Sequence, residues 1–164
     1  MATVESMEPD TSFLHLLHRA AQVAAHNFMS EQSGDNRLSD RQFIVLAALV
    51  RKEGTSQAEI SHDTGIDRST MADVVKRLQS RGWVARRRSK SDGRAYAVKL
   101  TAEGRDVLRD ASTAAVRAQE ALANLFSPKE LRSAVNLLQR ISDVRSSAAD
   151  EPARMPAARG RSGR

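Results

Sequence analysis

The sequence predicts a mainly α-helical fold with one small β-hairpin, and three observations carry this prediction. Apolar residues recur every three or four positions through most of the 164-residue chain, as they do along the buried face of a helix. Helix-start signals, in which a Ser is followed three positions later by Gln or Glu, precede several of these segments. Between Trp83 and Leu100 the apolar period changes from 3.6 to 2, which is typical of strands.

The N-terminal part of the sequence predicts two helices separated by a loop at residues 33–36. Residues 1–11 lack an apolar period and are expected to form a flexible leader. The segment from Ser12 to about Glu31 has a helical period. Ser39 and Gln42 have the spacing of a capping box and predict a second helix that ends near Lys52.

The next segment has the arithmetic of a helix-turn-helix. Ser56 and Glu59 form a second capping box, which opens a short helix that ends at Gly65. Asp67 can cap a longer helix that runs from Arg68 to Arg81 and stops at Gly82. Two helices joined by a tight turn containing glycine are typical of this motif.

A hairpin follows, and it has the features of a wing. Two strand-like segments, 83–88 and 95–100, flank a polar turn. Arginines lie on the arm and at the tip of this hairpin.

Two helices are predicted after the hairpin. Thr101 caps a long helix that reaches about Leu125, and Ser127 begins a second one. The long helix has apolar or small residues at a spacing that suits close helix packing, namely Leu108, Ala111, Ala115, Ala118, Leu122 and Leu125. The last helix places Leu131, Val135, Leu138 and Ile141 on one side. Residues 148–164 are expected to be disordered.

Positive charge is concentrated in one segment. The chain has a formal net charge of +6, while residues 66–105 alone hold eleven Lys and Arg against four acidic residues. A solvated face would mix the two signs. The segment therefore predicts contact with the phosphates of a nucleic acid.

Several classes of protein are disfavoured. The chain has no cysteine, which excludes disulfides and thiolate chemistry. Its longest apolar run is Phe43 to Val50, too short for a bilayer, and the acidic N-terminus does not resemble a signal peptide, so a cytoplasmic protein is expected. No nucleotide-binding, metalloprotease or serine-hydrolase motif is present, so we expect neither catalysis nor a cofactor.

The sequence resembles the MarR family of bacterial winged helix-turn-helix regulators. The resemblance covers residues 12 to 147 and rests on the stretches 38–46, 56–60, 67–70, 75–84 and 92–101. Its most specific part is the wing pattern of Asp92, Arg94, Leu100 and Thr101.

The resemblance implies a domain organisation and a function. Residues 38–101 would form the winged helix-turn-helix domain, and residues 12–37 and 102–147 would join two copies into a homodimer. It implies a repressor of nearby genes that a small ligand releases from DNA. Two symmetric subunits would bind half-sites about one helical turn apart, so the operator is expected to be a pseudo-palindrome.

The DNA contacts are assigned from the geometry of such motifs. The first residues of a recognition helix face base edges in the major groove, where Arg68 could bind guanine. Arg94 at the wing tip would enter the minor groove, held by Asp92. The predicted set comprises Ser56, Gln57, Arg68, Ser69, Thr70, Met71, Asp73, Lys76, Arg77, Arg86, Arg88, Lys90, Asp92 and Arg94.

By the same resemblance the effector would lie between the first, second and fifth helices. The candidate residues there are Phe13, His15, His18, Arg19, Gln22, Arg41, Phe43 and Ile44. Basic groups beside apolar ones suit an aromatic carboxylate. The alternative is that Arg19 and Arg41 form surface or intersubunit ion pairs.

The sequence leaves two other functions open and disfavours a third. The basic segment would also suit a sequence-independent architectural DNA-binding protein. His15 and His18 are three residues apart on a helix and could make the repressor metal-responsive, although no third ligand stands at a set spacing. A wing used for protein contacts is disfavoured by the basic charge.

Overall fold

A computed structural model describes residues 12–52, 54–88 and 96–149, and in this part of the chain it has six helices and three short strands. In chain order the elements are α1 (Phe13–Ser30), α2 (Asp40–Arg51), β1 (Thr55–Ser56), α3 (Gln57–Thr64), α4 (Arg68–Ser80), β2 (Val84–Arg88), β3 (Tyr96–Leu100), α5 (Ala102–Ala123) and α6 (Pro128–Ala149). The predicted class, mainly α with a small hairpin, is confirmed.

The helices begin where their caps predict. Ser39 and Ser56 both form complete capping boxes, in which the serine hydroxyl accepts from the third helical N–H and the side chain there accepts from the serine N–H. Thr101 caps α5 in a simpler way, through a bond from Gly104 N–H. Each cap satisfies donors that the first turn of a helix leaves without partners.

Helices α3 and α4 form the predicted helix-turn-helix. Gly65 ends α3 with φ of 68°, the left-handed conformation that suits glycine. The Asp67 carboxylate caps α4 by accepting from Thr70 N–H at 2.9 Å. The turn between the two helices thus spans only three residues, 65–67.

The sheet has three strands in the order β1-β3-β2, all antiparallel. The β2–β3 hairpin is the predicted wing. The sequence did not predict β1, in which Thr55 pairs with Val98 and Ser56 with Ala97. Through this third strand, the residues that directly precede α3 are hydrogen-bonded to the wing.

One apolar core joins the helix-turn-helix to the wing and to α5. It contains Leu38, Val45, Leu46, Leu49, Ile60, Met71, Val75, Leu78, Trp83, Val84, Val98, Leu108 and Ala111, among others. Burial of apolar surface on this scale is the main term that stabilises a domain of this size.

Helix α5 leaves the wing through a tight junction. Thr101 N–H donates to the Trp83 carbonyl at 3.1 Å, and the Thr101 hydroxyl donates to the Gly82 carbonyl at 2.7 Å. Gly104 lies so close to the Trp83 carbonyl that an added Cβ would be 2.0 Å from its oxygen. The first turn of α5 is therefore fixed against the base of the wing.

Large apolar side chains are exposed on the outer helices of this single chain. Helix α6 exposes Val135, Leu137, Leu138 and Ile141, and α1 exposes Phe13, Leu14, Leu16 and Val23. Leu125, predicted to continue the packing seam of α5, is 73% exposed and lies past the end of that helix. The rest of the predicted seam is confirmed in part, since Leu108, Ala111 and Ala118 are buried.

Helix α6 continues to Ala149, so residues 148 and 149 are helical and were wrongly predicted as disordered. Alanine has the highest helix propensity, and adding a turn to an existing helix avoids the cost of nucleation. The leader (1–11), Glu53, the polar turn (89–94), the first residue of the second predicted strand, Ala95, and residues 150–164 lie outside the described residues. Among the helices that the structure describes, none is both long and apolar enough to cross a membrane.

Candidate nucleic-acid interface and neighbouring cavities

Helix α4 has one buried face and one exposed polar face. Val74, Val75 and Leu78 are buried in the core, which fixes the rotation of the helix about its axis. The opposite face is exposed and carries Arg68, Ser69, Asp73, Lys76 and Arg77. Three cations against one carboxylate give this face a positive charge, which suits a polyanion.

Two of the predicted contacts in the first turn of α4 are also used inside the protein. The Ser69 hydroxyl donates to Asp67 Oδ1 at 2.6 Å, and Thr70 N–H donates to the same oxygen at 2.9 Å. These bonds, the Ser69 hydroxyl first, hold the pKa of Asp67 well below its ordinary value. Arg68, at the N-terminal end of α4, is exposed and is the cation of this turn that would enter a groove of DNA.

Met71 was predicted to contact DNA, and the structure shows that this is wrong. Its side chain is 1% exposed and belongs to the apolar core. The reason is its position on the helix, since Met71, Val74, Val75 and Leu78 follow the spacing of a single buried face. The Met71 side chain packs α4 against the core and lies on the opposite side of the helix from its exposed cationic face.

Ser56 and Gln57 lie where β1 meets α3, and both are half-buried. The Ser56 hydroxyl is used in the capping box, where it donates to Glu59 at 2.9 Å and accepts from Glu59 N–H at 3.2 Å. Within the described chain, Gln57 Nε2 is shielded from solvent and has no hydrogen-bond partner. The structure gives neither residue the open exposure of the α4 face.

Glu59 carries a strongly stabilised negative charge beside this junction. It accepts from Ser56 N–H at 2.9 Å, from Lys52 Nζ at 3.0 Å and from the Thr55 hydroxyl at 2.9 Å. These bonds, that of Ser56 N–H first, lower the pKa of Glu59 to about 2. The hydrogen bond and ion pair between Lys52 and Glu59 in turn raise the pKa of Lys52.

This shift predicts an acid dependence of stability. Because the folded state lowers the Glu59 pKa from 4.5 to about 2, the carboxylate stabilises the fold above pH 4.5, and this contribution disappears as the pH falls towards 2. We expect Glu59→Gln to lower the free energy of unfolding at pH 7 and to make less difference at pH 3. Urea unfolding at both pH values measures this, with Glu120→Gln as the control. An equal loss at both pH values would contradict the prediction.

The wing adds further cations beside α4. Arg86 and Arg87 on β2 are both exposed, although successive residues of a strand point to opposite faces. The backbone of Arg88 ends β2, opposite Tyr96. The predicted contacts Lys90, Asp92 and Arg94 lie outside the described residues.

None of the eight predicted effector residues lines either of the two cavities described below. Phe43 is half-buried and packs against Phe28 with ring centroids 5.0 Å apart, and His15 is half-buried on α1. The others are exposed, namely Phe13, His18, Arg19, Gln22, Arg41 and Ile44. Their assignment to an effector site stays a prediction.

A cavity of about 370 Å³ lies nearby, between the end of α1, the loop to α2 and one face of α5. Its polar lining includes Glu31, Ser33, Asn36, Asp110 and Arg117, and its apolar lining is Val107, Ala111 and Ala114. Sequence analysis assigned none of these residues to a ligand site. Glu31 and Arg117 are 86 positions apart, so no local pattern signals their contact.

A second cavity, of about 700 Å³, lies between the helix-turn-helix and α6. Its lining runs along α3 and the turn to α4, including His62, Asp63 and Asp67, and is completed by Ser142 and Asp143 of α6. Within the described residues, no group of three or more His, Cys, Asp or Glu is arranged to hold a metal ion.

Comparison with known proteins agrees with this geometry. A family model described as MarR family matches residues 38–95. The chain is 36% identical over 91 residues to the HTH-type transcriptional repressor Rv2887 of Mycobacterium tuberculosis, a match that spans 54% of this chain and 65% of that protein, just under two thirds of its length. These relatives are transcriptional regulators and not enzymes.

Two solved structures extend the likeness to nearly their whole length. The transcriptional regulator PcaV of Streptomyces coelicolor, in complex with its natural ligand, gives a TM-score of 0.76 at 30% identity and covers 87% of this chain and 98% of its own. BpsR of Bordetella bronchiseptica, whose DNA binding is regulated by 6-hydroxynicotinic acid, gives 0.76 at 29% identity, with 84% and 97% covered. The helix-turn-helix, the three-stranded sheet with its β2–β3 wing and these likenesses together show that the chain belongs to the MarR family and has the winged helix-turn-helix fold of that family.

Proposed function

We propose that this protein is a cytoplasmic, sequence-specific regulator of transcription, a homodimeric repressor that binds double-stranded DNA and is released by a small effector. The observation that carries the proposal is the exposed cationic face of α4, presented by a helix-turn-helix whose other face is buried in the core. This is the arrangement in which a recognition helix enters the major groove.

The exposed apolar faces of α1 and α6 support the homodimer. Exposed patches of this kind mark interaction sites in soluble proteins. Val135, Leu138 and Ile141 recur along one side of α6, and each is at least 41% exposed in the single chain. A second copy would cover them and would place two recognition helices on one duplex.

The cavity beside α5 supports the release by an effector. It lies where the end of α1 and the loop to α2 meet α5, on the two segments that flank the winged helix-turn-helix domain in the chain. The regulation of BpsR by 6-hydroxynicotinic acid makes an aromatic acid a reasonable class of ligand here.

Footprinting of the purified protein on the promoter DNA that surrounds its own gene tests the proposal. We expect protection of one short pseudo-palindrome with two half-sites about one helical turn apart. Uniform coating of the DNA would instead indicate the architectural role, and no retention at all would refute both.

Two substitutions on α4 should have different effects on binding. Arg68→Ala should weaken operator binding by about 1–3 kcal/mol and relax the preference at one base pair, because the proposal assigns Arg68, the first residue of α4, a contact to a base edge. Lys76→Ala should weaken operator and unrelated DNA alike and reduce the salt dependence by roughly one unit of log–log slope. Titrations at several salt concentrations measure both, with Arg109→Ala on α5 as the control. Identical behaviour of the two variants would contradict the assignment.

A further inference from the structure

The ion pair at one end of the α5 cavity joins α5 to α1. Arg117 Nε donates to Glu31 Oε2 at 2.8 Å, and a terminal nitrogen of Arg117 donates to the Glu31 backbone carbonyl at 2.8 Å. Glu31 is the residue at which α1 ends. Arg117 thus holds both the carboxylate and the C-terminus of a helix, where a cation is favoured.

The attachment through the Glu31 carboxylate is partly exposed to water. The side chains of Arg117 and Glu31 are 50% and 38% exposed, so water and salt screen their attraction. Exposed ion pairs of this kind contribute little to stability. Another carboxylate that enters the cavity can therefore replace that of Glu31 at small cost, since the guanidinium keeps an equivalent partner.

The next residue connects this ion pair to the DNA-binding domain. Gln32 is 9% exposed, and its side chain donates to the Leu38 carbonyl at 2.8 Å and accepts from Leu38 N–H at 2.7 Å. Leu38 directly precedes Ser39, the cap of α2. The joint between α1 and α2 is therefore attached to α5 at Glu31 and, through Gln32 and Leu38, to the start of α2.

The lining of the cavity extends along α5, from Val107 to Arg117. Val107 and Arg117 line it from positions ten residues apart on α5, roughly 15 Å along the helix axis. Ala111 and Ala114 form an apolar floor between the two ends, and Asp110 offers a hydrogen-bond acceptor towards the far end.

We propose that Glu31 is an internal competitor for the effector: its carboxylate occupies the Arg117 guanidinium, and an anionic ligand that replaces it removes one of the two hydrogen bonds by which Arg117 holds the α1–α2 joint to α5. The proposal rests on the proposed function for its consequence, the release of DNA. Exchange of one carboxylate for another at Arg117 would make the effector's charge the signal.

Calorimetric titration with 6-hydroxynicotinate, benzoate and the two matching amides tests the exchange without DNA. We expect the wild-type protein to prefer each acid over its amide. Arg117→Gln should remove this preference, and Glu31→Gln should tighten binding of the acids by about two- to fivefold, the value of an exposed ion pair.

Two control variants separate exchange from a general effect of charge. Asp110→Asn removes another carboxylate from the same cavity, and Asp106→Asn breaks the exposed Asp106–Arg109 pair outside it. Neither should tighten acid binding as much as Glu31→Gln does. Equal effects of Glu31→Gln and Asp110→Asn would overturn the proposal, as would failure of both acids to bind at millimolar concentration.

Hydrogen exchange of the Leu38 amide reports on the joint itself. We expect acids, but not amides, to accelerate it in the wild-type protein, and Glu31→Gln to accelerate it without ligand. An unchanged exchange rate of the Leu38 amide would show that carboxylate exchange at Arg117 does not loosen the joint, and would overturn that part of the proposal. These outcomes do not depend on DNA, so failure to bind an operator would refute the proposed function while leaving the exchange decided on its own data.

Discussion

Gly104→Ala is expected to destabilise the protein by about 2 kcal/mol although it places a better helix former inside α5. A Cβ at this position would lie 2.0 Å from the carbonyl oxygen of Trp83 and 2.9 Å from its carbonyl carbon. Both atoms belong to the backbone, so no side chain can rotate away and α5 itself must shift. Overpacking of this kind costs about 1–3 kcal/mol or more, while alanine in place of glycine returns up to about 1 kcal/mol.

The clash also affects the wing, because Thr101 N–H donates to the same Trp83 oxygen. Chemical unfolding measures the loss of stability, and operator binding measures the loss of wing placement. Glu103→Ala, at the exposed neighbouring position, is the control and should change neither by much. A Gly104→Ala variant as stable as the wild type would show that α5 can move away from the wing without cost.

Leu138→Glu is expected to separate the proposed homodimer and to weaken operator binding by at least about 100-fold. Leu138 is 50% exposed in the single chain, so a charge there costs little within one subunit. Buried between two copies, the same carboxylate would lose its hydration without gaining a partner. A monomer would also lose the benefit of binding two linked half-sites, which is worth a factor of about 10² to 10⁴.

Light scattering coupled to size exclusion measures the oligomeric state, and titration with an operator duplex measures the affinity. Asn136→Glu provides the matched control, because Asn136 is an exposed α6 residue two positions away and so on the opposite side of the helix. If Leu138→Glu stays dimeric, the apolar face of α6 does not join the copies.

The sequence predicted the helices and their starts well because those signals are local. The boxes at Ser39 and Ser56 depend on residues three positions apart, and Gly65 suits its left-handed backbone conformation because glycine has no Cβ. The burial of Met71 was also open to prediction, since Val74, Val75 and Leu78 continue its helical face. That error came from counting positions from the helix start without regard to this spacing.

Other features could not be predicted because they depend on distant partners. Strand β1 is only two residues long, too short to show an alternating pattern, and it exists because Thr55 and Ser56 pair with β3 more than forty positions away. The cavity beside α5 likewise depends on contacts between segments far apart in the chain. The predicted effector residues on α1 are mostly exposed in one chain, and their surroundings in a dimer involve a second copy.

The double role of Ser56 limits how this protein can adapt to DNA. Ser56 pairs with Ala97 of the wing and at the same time caps α3, so hairpin and helix-turn-helix share a residue at their junction. Because the two elements share this residue, a change in the direction of one should move the other. In the proposed homodimer, the distance between the DNA contacts of α4 and those of the wing would then be constant within each subunit. Operators with altered half-site spacing would have to be accommodated by movement between the two subunits, so binding to spacing variants of the DNA would measure how far the proposed dimer can flex.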